Sequence, residues 1–137
     1  MIDQRTPIYI VGAGALGQAL ALGMHRAGRN IECIVSRSQT RGGNLAELVD
    51  AKLVSSCRWI NSPAVILCVP DDVITSVAGE LDSQPGSVVA HCAGSRGLEV
   101  LDSCTKRRAH AGSIHPVMVL ARGGRGPRAM EGATAAI

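Results

Sequence analysis

Residues 9–20 read YIVGAGALGQAL, a stretch that joins a short apolar segment, a glycine-rich turn and the start of an apolar helical stripe. Gly12, Gly14 and Gly17 have the spacing G-x-G-x-x-G, which is typical of a strand–turn–helix unit that binds a dinucleotide. Gly12 permits a tight turn, Gly14 lets the backbone approach a pyrophosphate, and Gly17 lets the helix pack closely on the strand. The free N–H groups of the first helical turn then face the phosphates, and the helix dipole favours their negative charge.

The flanks of the glycine turn support this interpretation in a chain that contains 16 glycines. Ile8 to Val11 is apolar throughout, as expected of a strand that is buried on both faces. After the turn, the small and apolar residues recur at i, i+3, i+4 and i+7, which predicts one apolar face of a helix. The alternative is an ordinary strand–helix turn without a ligand. The residues of the apolar face are Leu16, Ala19, Leu20, Gly23, Met24 and Ala27.

Length and composition indicate a single globular domain. The 137 residues are 46% hydrophobic and 18% charged, which is typical of a soluble protein with one core. No apolar run is long enough to span a membrane, and the polar start of the chain is not a signal peptide. The net charge of +3 does not require a nucleic-acid partner.

The five cysteines are widely spaced and form no C-x-x-C pair, so they predict neither a metal site nor a disulfide framework. We expect a reducing cytoplasm as the compartment. The glycine- and arginine-rich segment 122–128 is interpreted as a solvated basic loop rather than an RNA-binding stretch. Residues 132–137 resemble the start of a further strand, which would be able to pair with another chain.

Strand and helix patterns alternate along the chain. This alternation predicts an α/β fold of the Rossmann type, with a doubly wound, mostly parallel sheet of about six strands and helices on both faces. Helices are expected after the glycine turn, at 45–51, from Asp71-Asp72 through Leu81, and from Gly97 to about Thr105. The expected strands are 8–11, 31–35, 53–54, 64–69, 87–92 and 111–115, the last stopped by Pro116.

The end of the second strand favours NADP over NAD. An acidic residue there would bond the ribose hydroxyls of NAD, but the chain has Ser36-Arg37-Ser38, with Arg41 close behind. Arg37 lies twenty positions beyond Gly17, where the discriminating residue is expected. A guanidinium matches the oxygens of a 2′-phosphate, and the serine hydroxyls add hydrogen bonds. The alternative is a solvated loop with incidental charge.

Three further segments follow strands and are therefore expected at the edge of the sheet where ligands bind. The backbone of Val69 and Pro70 would run beside the riboses of the cofactor, and the next two aspartates are expected to begin a helix. Ser95 is a candidate to bond the carboxamide or the substrate, or else to cap the next helix. His115, held by Pro116, is a candidate to contact substrate or donate a proton, or else to bond a neighbouring backbone group. His91 lies within a strand and is interpreted as structural.

These segments together resemble a group of bacterial Rossmann-like proteins that have a C-terminal helical domain of unknown function. They are similar to pyrroline-5-carboxylate reductase and to the β-hydroxyacid and 6-phosphogluconate dehydrogenases. The more specific part of the resemblance is the serine–glycine segment after the fifth strand paired with Gly-Ser-x-His-Pro after the sixth. The segments that carry it are 11–17, Ser36-Arg37-Ser38, Val69-Pro70-Asp71-Asp72, His91-Cys92-Ala93-Gly94-Ser95 with 97–101, and Gly112-Ser113-Ile114-His115-Pro116.

The resemblance implies an NADP-linked oxidoreductase. By this resemblance, the phosphate loop corresponds to Gly12, Gly14, Ala15, Leu16 and Gly17. The 2′-phosphate site corresponds to Ser36, Arg37 and Ser38. Relatives continue into a helical domain that completes the active site and usually makes a homodimer. Residues 1–137 are accordingly expected to be the NAD(P)-binding domain alone, without that second domain. The chain also lacks the aromatic residue that relatives often have after His115-Pro116.

The sequence therefore predicts the NADP-binding domain of an oxidoreductase. Joined to a substrate domain, it would transfer a hydride to or from a small carbonyl, imine or hydroxy substrate, with the cofactor carrying the chemistry. The alternatives are a non-catalytic dinucleotide-binding regulatory module and a fragment without independent activity.

Overall fold

A computed structural model describes residues 3–58, 60–117 and 134–136 of the chain. Its centre is a six-stranded sheet in which every neighbouring pair of strands is parallel. The strand order is β3-β2-β1-β4-β5-β6, which is the doubly wound order that the sequence predicts. The strands are β1 Ile8–Val11, β2 Ile31–Val35, β3 Lys52–Val54, β4 Ala64–Leu67, β5 Val88–His91 and β6 His110–Ser113.

Helices cover both faces of this sheet. Short 3-10 turns at Asp71–Val73 and Leu98–Leu101 lead into the third and fourth helices. The α-helices are α1 Ala15–Arg26, α2 Gln39–Leu48, α3 Ile74–Glu80 and α4 Asp102–Thr105. The predicted fold class is thus confirmed. No helix in the described residues is both long enough and apolar enough to cross a membrane.

Two buried cores lie on opposite faces of the sheet. On one face, Ile10 of β1 packs with Leu20 of α1 and Leu45 of α2. On the other face, Leu67 of β4 packs with Ile74 of α3. All four residues of β4 are buried, because a central strand of such a sheet is covered from both sides. The aliphatic composition of the strands is what this double burial requires.

The second helix begins earlier than the sequence pattern predicts. It starts at Gln39 rather than Leu45, because the Ser38 hydroxyl caps it by accepting a hydrogen bond from the Arg41 N–H at 3.2 Å. Its first five residues are three polar residues and two glycines, so this part lacks the apolar period that marks a helix in sequence. The helix ends at Leu48, and Asp50 follows in the left-handed region with φ 53°.

The end of the sixth strand also differs from the prediction. β6 ends at Ser113, although the Ile114 N–H still donates to the His91 carbonyl at 2.9 Å. Strand β7, His115–Val117, then pairs with β8, Thr134–Ala136, in a separate antiparallel ribbon. The final strand that the sequence suggests therefore exists and pairs within the chain. The basic segment 122–128 lies outside the described residues.

The glycine turn between β1 and α1 is packed against the backbone of the neighbouring strand. Gly12 has a φ of 109°, and a β-carbon added there would overlap the carbonyl oxygen of Cys68. A β-carbon added at Gly17 would overlap the carbonyl oxygen of Gly12. Backbone atoms cannot move aside as flexible side chains can, so both positions require glycine.

We expect Gly17→Ala to lower the free energy of unfolding by about 2–3 kcal/mol, since the new methyl group meets a fixed carbonyl. The matched control is Gly79→Ala in α3, where an added β-carbon meets nothing within 4 Å. That change should be neutral or stabilise by up to about 1 kcal/mol, because alanine favours a helix over glycine. Urea unfolding of both variants measures the difference, and equal effects would contradict the packing argument.

Candidate functional site

A cavity of about 520 Å³ opens at the carboxyl ends of the strands. It lies where the strand order reverses between β1 and β4, the place at which open α/β sheets bind ligands. Its volume is within the usual range of small-molecule sites. The residues that line it are Val11, Gly12, Ala13, Gly14, Val35, Ser36, Arg37, Ser38, Arg41, Ser56, Cys57, Cys68, Val69, Pro70, Val73, Ser76, Val77 and Glu80.

The glycine turn forms one wall of this cavity. Gly14 is exposed and precedes α1, and a β-carbon added there would meet nothing within 4 Å. The first turn of α1 contains no acidic residue and no side-chain cap, so its N–H groups are available to an anion. The Gln18 amide donates to the Ala13 carbonyl at 2.9 Å and holds the turn in place. The predicted residues Ala15, Leu16 and Gly17 form that first helical turn, behind the residues that line the cavity.

The second wall is basic. Arg37 lies in the loop after β2, and Arg41 lies in the first turn of α2; both side chains are exposed and line the cavity. Neither guanidinium forms an ion pair with any residue that the structure describes. Their hydrogen-bond donors are therefore free to bind an anionic ligand.

The two serines of this wall shape the loop. The buried Ser36 hydroxyl accepts from the Ser38 N–H at 3.1 Å and donates to the Ser38 carbonyl at 3.3 Å. Its only proton is thus used within the loop, whereas the Ser38 hydroxyl accepts from Arg41 and keeps its proton. The arginines and Ser38, rather than Ser36, can therefore donate to a ligand.

The third wall was not predicted from the sequence. It comes from the segment after β3 and from one side of α3. The Cys57 thiol donates to Oε2 of Glu80 at 3.2 Å. Burial is the main cause that raises the pKa of Cys57 to about 11, and the contact with Glu80 is the second. A sequence signal did exist, because the lining residues of this segment have the i, i+3, i+4, i+7 spacing of one helical face. They are Val73, Ser76, Val77 and Glu80.

Two cysteines lie next to each other at the ends of the central strands. Cys68 and Cys92 directly follow the paired ends of β4 and β5, and Cys68 also lines the cavity. A hydrogen bond from the Cys68 thiol lowers the pKa of Cys92, and the same contact raises the pKa of Cys68. Both are free thiols.

Ser95 and His115, the two candidate catalytic residues, lie at the ends of neighbouring strands but do not line the cavity. The Ser95 hydroxyl donates to Oδ2 of Asp71 at 2.6 Å, so it does not cap the following helix. Pro70, not an aspartate, holds the N-cap position of the 3-10 turn at 71–73. Asp71 thus links the loops after β4 and β5, a role that the sequence did not suggest.

The imidazole of His115 is oriented by the backbone. Its Nδ1 lies 3.3 Å from the Cys92 carbonyl oxygen, which only accepts, so Nδ1 carries the proton in this contact. The ring covers Gly94, where an added β-carbon would lie 2.7 Å from Nε2. Nε2 is therefore the nitrogen left to exchange a proton with a ligand. The side chain is exposed.

His91 has the structural role that its place in a strand predicts. It is fully buried, its Nδ1 accepts from the Ala93 N–H at 3.1 Å, and its Nε2 donates to the Gly97 carbonyl at 3.1 Å. The two bonds use both ring nitrogens in the neutral form. The ring thus ties down the loop that carries Ser95.

Residues 1–116 match the sequence model of a family described as Rossmann-like, a Rossmann-like domain. No curated protein matches the chain. The family match covers every residue assigned above to the cavity walls, and it confirms the family resemblance given by the sequence motifs.

Solved structures share the fold at low sequence identity. A pyrroline-5-carboxylate reductase from Coxiella burnetii is 18% identical with a TM-score of 0.73, over 85% of this chain and 45% of its own. A prephenate dehydrogenase from A. aeolicus, in complex with NAD+, is 16% identical with a TM-score of 0.79, over 98% and 50%. An imine reductase from Aspergillus terreus, in complex with NADPH4, is 18% identical with a TM-score of 0.67, over 85% and 43%.

The chain spans about half the length of these solved structures. Their TM-scores show a common fold, and the cofactors in the two complexes differ.

We expect His91→Ala to lower the free energy of unfolding by about 2–4 kcal/mol, because it leaves a cavity and two unpaired backbone groups. The control is His110→Ala, since that histidine is exposed and should tolerate the change within about 0.5 kcal/mol. Thermal and urea unfolding of the two variants provide the comparison. Equal stabilities would show that the bonds of His91 do not support the loop.

Proposed function

The chain belongs to the Rossmann-like domain family, and we therefore propose that it binds NADP in this cavity as the nucleotide-binding part of an oxidoreductase. The observation that carries the proposal is one cavity lined both by an open glycine turn and by two arginines that form no ion pair with any described residue. The first suits a pyrophosphate and the second suits a further phosphate. Residues 1–137 then act as one NAD(P)-binding domain.

The pyrophosphate lies against the N-terminus of α1. The space above Gly14 is open, so phosphate oxygens reach the N–H groups of Ala15, Leu16 and Gly17 without meeting a side chain. The backbone of Val69 and Pro70 borders the same space on the β4 side and runs beside the riboses. This arrangement serves NAD and NADP equally, so it does not choose between them.

The basic wall favours NADP over NAD. Arg37 and Arg41 offer planar forks of donors that match the oxygens of a 2′-phosphate, and the Ser38 hydroxyl adds one more. No acidic side chain from the loop after β2 is present to bond the ribose hydroxyls of NAD. Ser36 supports this site by fixing the loop rather than by binding phosphate. The cofactor is therefore NADP rather than NAD.

The reaction is a hydride transfer to or from a small carbonyl, imine or hydroxy substrate, for which the bound cofactor supplies the hydride chemistry. The chain contributes the orientation of the nicotinamide and the groups near it. The Ser95 hydroxyl donates its proton in the hydrogen bond to Asp71, so the Ser95 oxygen is left to accept a hydrogen bond from a ligand. His115 exchanges a proton at Nε2, because its Nδ1 is held by the Cys92 carbonyl. A homodimer and a cytoplasmic location remain predictions, as does the absence of nucleic-acid and membrane partners.

We expect the chain to bind NADPH at least tenfold more tightly than NADH, since charge-assisted hydrogen bonds contribute about 1.5–3 kcal/mol each. Arg37→Ala and Arg41→Ala should each weaken NADPH binding by about tenfold and change NADH binding by less than about twofold. Calorimetric titration at fixed ionic strength measures both affinities. The control is Arg29→Ala, which precedes β2 at the opposite end of the sheet. Equal affinities for the two dinucleotides would exclude NADP specificity, and no binding of either would exclude the function.

Gly14→Ala separates binding from folding. An added β-carbon meets no protein atom within 4 Å, and Gly14 has an ordinary φ of −75°, so the variant should keep wild-type stability within about 0.5 kcal/mol. The same methyl group occupies the space of the pyrophosphate, so NADPH affinity should fall at least about tenfold. Unfolding curves and titrations of the same preparation test both parts. Undiminished affinity would place the pyrophosphate elsewhere.

A further inference from the structure

The third wall of the cavity carries a carboxylate that the phosphate sites do not use. Glu80 lies at the C-terminal end of α3 and lines the cavity. A negative charge at the C-terminus of a helix is unfavourable for the helix dipole, so this residue is not placed to stabilise α3. Within the described part of the chain, Glu80 forms no ion pair. Glu80 accepts a hydrogen bond from the thiol of Cys57.

We propose that Glu80, oriented by Cys57, binds the 6-amino group of the adenine ring and selects adenine over bases that carry a 6-oxo group. This inference rests on the proposed dinucleotide function and adds a determinant of base specificity to it. It assigns the third wall to the adenine ring, which neither the glycine turn nor the arginines hold.

The position of the base follows from the walls of the cavity. The pyrophosphate lies at the glycine turn and the 2′-phosphate at Arg37 and Arg41, so the adenosine half enters the remaining space along α3. Val73 and Val77 of that wall offer apolar surface to a flat ring. Glu80 lies one helical turn beyond Val77 and so reaches the edge of the ring rather than its face.

The hydrogen-bonding capacity of Glu80 gives the selectivity. The Cys57 thiol occupies Oε2, which leaves Oε1 as the free oxygen, and an ionised carboxylate only accepts. Adenine presents an amino donor at position 6, whereas hypoxanthine presents a carbonyl acceptor there. At position 6 the carboxylate therefore accepts a hydrogen bond from adenine and meets an acceptor in hypoxanthine, whose nearest donor, N1–H, is displaced by one ring atom.

Cys57 keeps the carboxylate in place over the physiological pH range. It is 6% exposed, and its pKa is raised to about 11 by burial and by Glu80, so the thiol stays protonated and donating at neutral pH. A serine at this position retains a donor of similar size, whereas an alanine does not. The two substitutions therefore separate the donor role of Cys57 from its packing.

The experiment compares NADPH with the reduced nicotinamide hypoxanthine dinucleotide phosphate, which differs only in the 6-oxo base. We expect the wild-type chain to bind NADPH about tenfold more tightly, because one charge-assisted hydrogen bond is lost and an acceptor is left facing an acceptor. Glu80→Gln should bring the two affinities within about twofold, since an amide can turn either its oxygen or its NH₂ group to the base. The control is Glu47→Gln, an exposed carboxylate of α2 that does not line the cavity, which should leave the ratio unchanged.

Cys57 variants provide the second measurement. Cys57→Ser should keep the preference for adenine within about twofold of wild type, and Cys57→Ala should reduce it, because Glu80 then loses its donor. Unfolding curves for each variant show whether it is folded at the temperature of titration. A reduced preference in both Cys57 variants would exclude the thiol as the orienting donor.

The outcomes also separate this inference from the function on which it rests. If the wild-type chain binds both phosphorylated dinucleotides with equal affinity, the cofactor function stands and base selection by Glu80 is wrong. If it binds neither, both proposals fall. An adenine preference that survives Glu80→Gln unchanged would assign base selection to other residues and overturn the inference.

Discussion

The fold depends on a close contact between backbones at the glycine turn. A β-carbon at Gly12 would overlap the Cys68 carbonyl, and one at Gly17 would overlap the Gly12 carbonyl. The turn is therefore held between the ends of β1 and β4, with the Gly12 N–H bonded to the Val35 carbonyl at 2.8 Å. This contact fixes where α1 begins. Because the start of a helix is a site for anions, it also fixes where a ligand can bind.

The other walls are positioned relative to that turn by similar short-range constraints. Gly42 lets α2 approach the loop after β2, since a β-carbon there would lie 2.5 Å from the β-carbon of Ser36. With Ser38 capping the helix, this packing brings Arg41 to the same side as Arg37. The positions of these charges thus depend on short-range hydrogen bonds and on a small residue, and the arginines themselves remain exposed.

The sequence predicts the elements whose signal is local. Strand β1 matches its predicted bounds because apolar β-branched residues adjoin the glycine turn, and the parallel sheet follows from alternation. The start of α2 could not be predicted by periodicity, because the Ser38 cap precedes three polar residues and two glycines. The Cys57–Glu80 contact joins residues 23 positions apart, and Ser95 meets Asp71 across 24. Such contacts depend on the sheet order, which places the ends of separate strands side by side.

The cavity and the neighbouring segments that carry Ser95 and His115 differ in how their side chains are held in position. The glycine turn leads into the N-terminus of α1, and its packing leaves no room for a side chain at Gly12 or Gly17. The geometry of this wall is therefore set by the packed backbone. Ser95 lies in the loop after β5, and His115 begins the short strand β7; both are exposed, and each side chain is oriented through one hydrogen bond. The fully buried His91 ties the loop of Ser95 to β5, so it links Ser95 to the core. The geometry of the glycine turn therefore depends on the sheet and its backbone contacts, whereas the positions of Ser95 and His115 depend on surface segments whose contacts change more easily.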